Sequence, residues 1–222
     1  MITLYGYWRS TAAYRVRIAL NLKKIEYSQV SIHLVKDGGQ QHKEYYKHLN
    51  PQGLVPTLTD GNFTLSQSIA ILEYLEDKYP KIAMLPNDLQ LKAVVRQLCQ
   101  IICADLHPLN NLRVLNYLNN DLSISVDEKM AWYHHWLRKG FHAYESIINQ
   151  RDINSRNILS EYSIGGELTM ADACLIPQIY NARRFDFCLD DYPRITQIEQ
   201  NCLSLQCFKV SLPESQPDAV LN

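Results

Sequence analysis

The chain of 222 residues is long enough for one large domain or two small ones with buried cores. Its apolar share of 46% and charged share of 20% are ordinary for a globular protein, and a net charge of -1 gives no reason to expect nucleic acid or an acidic membrane as partner. No apolar run approaches a membrane span, and the N-terminus lacks the uninterrupted apolar core of a signal peptide.

Residues 1–24 read as strand, polar turn and helix. Ile2 and Leu4 alternate with other residues as in a half-buried strand, and Ala13, Val16 and Leu20 then recur at helical spacing. Arg9, Ser10 and Thr11 stand at the junction. A hydroxyl beside the first turn of a helix meets unpaired backbone N–H groups and the positive end of the helix dipole. Such a hydroxyl can cap the helix or help hold a bound thiol as its thiolate, and the segment alone favours the cap. Arg9, Arg15, Arg17, Lys23 and Lys24 gather in this stretch with no acidic residue among them. They read as a solvated face or as a site for an anion.

A second strand follows in IEYSQVSIHL, giving a βαβ start. Turn residues at 37–39 and 50–53 flank a short helix. VPTLTD and NFTL read as two strands joined at Asp60-Gly61, a strong hairpin signal. The pattern then predicts a helix opening at Ser66, burying Ile69, Leu72 and Leu75, and ending at Pro80. Beyond Asp88 strand alternation disappears, and long helices are expected at about 88–119, 126–149, 169–185 and 194–208. Pro108 should kink or locally open the first of these. Thr169 and Asp172 fit a variant capping box. The expected organisation is a small α/β domain at 1–80, a linker at 81–87 and an all-helical domain at 88–222, with a disordered tail from 213 onward. The six cysteines all lie beyond residue 98 and form no CxxC. The seven histidines show no metal-ligand spacing, so free thiols in a reducing cytosol and no metal are expected.

The element order and several long motifs resemble the zeta class of the glutathione transferase superfamily. The first motif stands here as Ser10-Thr11-Ala12-Ala13-Tyr14-Arg15-Val16-Arg17-Ile18-Ala19-Leu20. LVKDGGQQ, LNPQGLVPTL, DLHPLNNLRVL, TMADACLIPQ and NARRF extend the likeness over almost the whole chain. The resemblance implies a thioredoxin-like βαβ-α-ββα domain followed by an all-α domain, with glutathione as cofactor. It further implies that Ser10, with Thr11 beside it, holds the glutathione thiolate, and that the Val55-Pro56 bond is cis with the Val55 backbone pairing to the cysteinyl part. Gln67 and Ser68 would take the γ-glutamyl carboxylate at a helix start, a place suited to anions. Gln41, His107, Asn111 and Arg113 match further lining positions. The implied reaction is isomerisation of maleylacetoacetate to fumarylacetoacetate in tyrosine breakdown. Arg9, Arg184 and Arg113 are the candidates for the two carboxylates of the substrate. Arg15, Arg17 and Arg183 read more simply as surface or interdomain salt-bridge partners. Ala12 departs from the class, which often carries a cysteine there, so chemistry that needs a protein thiol at this turn is not expected. The family also implies a homodimer. Maleylpyruvate isomerase, a broader transferase acting on α-haloacids and a non-catalytic binding module stand as alternatives.

Overall fold

The computed structural model describes residues 1–154 and 160–220. It separates into two compact units, Met1–Met84 with Leu203–Asn222, and Leu85–Cys202.

In the first unit, β1 (Ile2–Gly6) leads through a short turn into α1 (Thr11–Leu22) and on to β2 (Tyr27–Ser31). The short α2 (Glu44–Leu49), β3 (Thr57–Asp60), β4 (Phe63–Ser66) and α3 (Ser68–Lys78) follow. The sheet order is β2-β1-β3-β4, with β1 parallel to β2 and the remaining pairs antiparallel. Ile2, Leu4 and Gly6 point into the core along β1, the alternation that the sequence carries. The β3–β4 hairpin closes at Gly61, whose φ of 59° is the left-handed value that such a turn requires. Every residue of α1 from Thr11 to Leu20 is buried. That excludes the solvated basic face, since Arg15 and Arg17 are each 1% exposed.

α3 begins later than the sequence predicts. Ser66 is the last residue of β4, paired with Thr57, and Gln67 occupies the cap position with φ 71°. The buried face is Ile71, Leu72 and Leu75, with Ile69 only half-buried. A left-handed residue inserted at the strand–helix junction rotates the helix, which is why the expected face is displaced.

The second unit opens with α4 (Leu89–Gln100), capped by Asp88, whose side chain accepts from Leu91 N at 2.8 Å. The single helix expected at 88–119 is broken. Ile101–Leu106 forms a π-helical segment, His107–Asn110 a 3₁₀ turn, and α5 (Leu112–Asn120) starts afresh with Asn111 as its cap. Pro108 lacks an N–H and its ring crowds the carbonyl four residues back, and here the backbone opens where the sequence places the proline, whereas the later helix Met170–Arg184 keeps Pro177 within it. α6 (Val126–Asn154) is the long central helix and turns Tyr133, Leu137, Phe141 and Tyr144 into the core. Gly140 on α6 lies against Leu106 so closely that a Cβ there would collide with it. α7 (Met170–Arg184) starts with the capping box expected at Thr169 and Asp172. Asp172 is fully buried and accepts from Ser163 N at 2.8 Å and Thr169 N at 2.7 Å. The free N–H groups opening α8 (Pro193–Ser204) are met by buried Glu145, which accepts from Arg194 N at 2.8 Å and Ile195 N at 2.9 Å.

The expected helix at 194–208 ends at Ser204, and a separate short α9 (Gln206–Lys209) packs on α1. The expected disorder from 213 is also corrected, and with it the assignment of the whole tail to the helical domain. Pro213–Ser215 is a 3₁₀ turn, Gln216 donates to the carbonyls of Val210 at 3.0 Å and Leu212 at 2.7 Å, and Asp218 accepts from Trp8 N at 3.1 Å. These polar bonds, which no apolar periodicity announces, hold the tail to the first unit. Residues 221 and 222 lie outside the described residues. Among the described residues no helix is long and apolar enough to cross a membrane.

Candidate active site

Ser10 sits where β1 gives way to α1. Its backbone is extended, and its Oγ accepts from Ala13 N at 3.2 Å, so it caps the helix. A hydroxyl has one proton and two acceptor positions. The cap uses an acceptor position and leaves the proton free to be donated. Ser10 is half-buried, whereas Thr11, the first helical residue, is 5% exposed. Access therefore favours Ser10 over Thr11 as a donor to a bound thiolate.

The turn before Ser10 is held from several sides. Arg9 places its guanidinium over the Trp8 ring, 4.1 Å from the centroid. Trp8 N donates to Asp218, and Trp8 O accepts from Arg17 Nη2 at 3.0 Å. Arg17 also donates through Nε to Ser211 O at 3.1 Å. Arg17 is thus a buried brace between the turn and the tail, not the surface residue that its charge suggests.

The Val55-Pro56 peptide bond is cis, as the resemblance implies. The loop before it is pinned at Leu54 O, which accepts from Tyr46 Oη and Asn50 Nδ2, both at 2.7 Å. Gln67 is exposed, and its Nε2 donates to Gln52 Oε1 at 2.6 Å. Ser68 is buried as the first residue of α3 and accepts at Oγ from Arg15 Nη1 at 3.2 Å. No side chain caps α3. Gln41 is 7% exposed and donates to Leu34 O at 3.1 Å, while its Oε1 has no hydrogen-bond partner among the described residues. Gly39 has φ 92°, and a Cβ there would strike the Gln41 amide at 2.5 Å. Such a φ favours glycine, and any other residue there would be strained.

In the second unit, His107 and Asn111 approach through Nε2 and Nδ2 at 3.4 Å, and Asn111 Oδ1 accepts from Arg113 N at 3.1 Å. Arg113 is exposed in the first turn of α5. Arg184 ends α7, donating through Nη1 to Asn181 Oδ1 at 3.2 Å, and Asn181 Nδ2 donates to Tyr133 Oη at 2.6 Å. Burial pushes the Tyr133 phenol well above its usual range, with Arg184 pulling the other way, so Tyr133 stays protonated. Arg183, next to Arg184, is bound to Glu199 within the same unit, its Nη2 at 2.5 Å from Oε2. The salt-bridge reading of Arg183 therefore holds, whereas that of Arg15 does not.

Within the first unit the structure assembles a hydroxyl with a free proton at one helix start and an uncapped second helix start backed by a buried arginine. It also presents a buried amide oxygen seeking a donor. This set fits a peptide-like ligand that carries a thiol, a carboxylate and N–H groups. Sequence reasoning missed Arg15. The available signal was its place one turn from Thr11 and one from Ile18, with apolar Ala12, Val16 and Ala19 around it on a helix buried from Thr11 to Leu20.

Comparison with known proteins gives the class first. Residues 1–77 match the family model described as "Glutathione S-transferase, N-terminal domain". A probable maleylacetoacetate isomerase of Vibrio cholerae is 44% identical, over 98% of this chain and 98% of that one. Among solved structures, a holo maleylpyruvate isomerase, described as a bacterial glutathione-S-transferase in the zeta class, superposes with TM-score 0.92 at 40% identity. It covers 98% of this chain and 100% of its own. The maleylacetoacetate isomerase of Methylobacterium extorquens AM1 with bound malonate and GSH gives TM-score 0.90 at 34% identity, over 99% and 100%. The chain belongs to the zeta-class glutathione transferase and maleylacetoacetate isomerase family.

Proposed function

We propose that this protein is a glutathione-dependent cis–trans isomerase that converts maleylacetoacetate to fumarylacetoacetate, a step of tyrosine breakdown. The observation that carries the reading is Ser10, a helix cap whose hydroxyl proton is free, at the motif position of the family's thiolate-binding serine. When bound, glutathione supplies a thiolate that adds reversibly to the electron-poor alkene, leaving a single bond that rotates before the thiolate is expelled.

The chain's own residues have separate tasks. Ser10 donates to the sulfur, and the positive end of α1 favours the charged form of the thiol, whose pKa is otherwise about 8.5 by analogy with cysteine. Thr11, buried as the first residue of α1, is the second hydroxyl beside the sulfur, behind Ser10 in access. The Val55 backbone pairs with the cysteinyl part in the manner of an added strand. Gln67 and Ser68 seat the γ-glutamyl carboxylate at the start of α3. Gln41 offers its buried Oε1 to a peptide N–H, and His107, Asn111 and Arg113 are the second unit's candidates for glutathione by their motif positions. Arg9 and Arg184 take the substrate carboxylates and stabilise the negative charge that develops on the ketone oxygen. The protein works in the cytoplasm as a homodimer of two-fold symmetry, an assembly that sedimentation giving a monomer at micromolar concentration rejects.

A second reading, maleylpyruvate isomerase, is favoured by the TM-score of 0.92 to an enzyme of that description. The test is conversion of both substrates side by side, with and without glutathione. The expected result is a larger kcat/KM for maleylacetoacetate, full dependence on glutathione and no glutathione consumed. A larger value for maleylpyruvate makes the second reading correct. Activity that persists without glutathione removes the thiolate mechanism from both, and glutathione consumed only with a haloacid makes the protein a general transferase.

A further inference from the structure

Arg15 is the least expected side chain of the first unit. It is 1% exposed, and its Nη1 donates to Ser68 Oγ at 3.2 Å, while Nε and Nη2 have no hydrogen-bond partner among the described residues. Burying a charge without a partner is strongly unfavourable, and each orphaned N–H adds to the cost. An apolar side chain of the same length would serve the core better, so packing does not account for an arginine here.

The neighbour that it touches does account for it. A guanidinium has donors only and keeps its charge at any pH that a protein tolerates. Ser68 Oγ is therefore obliged to accept from Arg15, and its single proton is left to point elsewhere. Ser68 is also the first residue of an eleven-residue helix that no side chain caps and that has no acidic residue in its first turn. Backbone N–H groups, an oriented hydroxyl and a buried positive charge thus meet at one place, which is a seat built for an anion.

We infer that Arg15 is a positioning residue for the γ-glutamyl carboxylate of glutathione, fixing the direction in which Ser68 donates and supplying the buried charge behind it. The inference rests on the proposed use of glutathione and adds a residue on α1 to a seat otherwise made from the start of α3. It also makes the seat specific for a carboxylate over a neutral group, since a neutral ligand gains nothing from the charge.

The test is calorimetric titration of the full-length protein with glutathione and with 4-aminobutyryl-cysteinyl-glycine, which differs only in lacking that carboxylate. The wild type should prefer glutathione by about 10- to 100-fold, the scale of a charge-assisted hydrogen bond. In Arg15→Met the preference should collapse through weaker glutathione binding, with the analogue unchanged within about 3-fold. Arg15→Lys should restore part of it by restoring charge without the planar fork. If Arg15→Met does not fold, Ser68→Ala must show the same collapse of preference. Equal weakening of both ligands, or no change in either, overturns the inference and makes Arg15 a structural residue. A wild-type protein that binds glutathione and the analogue equally also overturns it while leaving the proposed use of glutathione intact. Binding of neither ligand removes that use, and the inference with it.

Discussion

Ser10 carries two duties that compete in principle and coexist here, because they use different parts of one hydroxyl. The cap takes an acceptor position toward Ala13 N, and the thiolate takes the proton. Replacement can separate them. Ser10→Ala loses both, at about 1 kcal/mol of stability for the cap and about 10²- to 10⁴-fold in turnover for the activating group. Ser10→Gly loses the same proton donor but only a few tenths of a kcal/mol of capping, since glycine is itself an acceptable cap. The two variants should therefore differ in melting temperature and agree in kcat, with the pKa of bound glutathione raised in both by ultraviolet titration of the thiolate. Near-normal turnover in either variant would transfer the role to Thr11 or to the backbone N–H groups. Arg15 teaches a complementary lesson at this scale. Two arginines among apolar residues read as a solvated face because charge is the stronger local signal. Only tertiary burial, with α3 on one side and α9 on another, shows that they face inward.

At the scale of elements, legibility follows the locality of the physics. β1, α1, the β3–β4 hairpin and the α7 capping box are written in residues close in sequence, and each appears where its pattern stands. The interruption at Pro108 is equally local, because a missing N–H and a rigid ring act on the preceding turn alone. Its form, a π segment followed by a 3₁₀ turn, goes with a close fit of Leu106 against Gly140 of α6, two residues far apart in the sequence. The late start of α3 has the same cause. Gln67 adopts φ 71° although glutamine does not favour it, and its side chain is held by Gln52, fifteen positions away. The paired site residues are readable from their motifs. Gln41 had a motif position but no visible reason, which the steep turn at Gly39 supplies.

At the scale of the whole chain, its two ends meet in the first unit. Asp218 accepts from Trp8 N at 3.1 Å and from Ser31 Oγ at 2.7 Å, while Ser211 receives Arg17 at its carbonyl and Asn21 Nδ2 at its hydroxyl, 2.7 Å away. Trp8 adjoins Arg9 and Ser10, and Arg17 holds the Trp8 carbonyl, so the tail belongs to the support of the proposed active site. Nothing short-range in the sequence reveals this, because the Trp8–Asp218 bond spans 210 positions. Hydrogen bonds to a charged group are each worth about 1.5–3 kcal/mol. Asp218→Ala should then lower stability by about 2–4 kcal/mol, discounted within that range because the carboxylate is partly open to water. The same variant should reduce kcat through a loosened Trp8–Ser10 turn, with glutathione affinity nearly kept because the α3 seat is untouched. Asp218→Asn retains an acceptor oxygen for Trp8 N and should recover most of the turnover. Thermal unfolding and steady-state kinetics of both variants decide the matter. Stability lost with kcat intact would reduce the tail to a structural clasp, whereas loss of kcat in Asp218→Ala and recovery in Asp218→Asn would make the far end of the chain a determinant of how Ser10 is held.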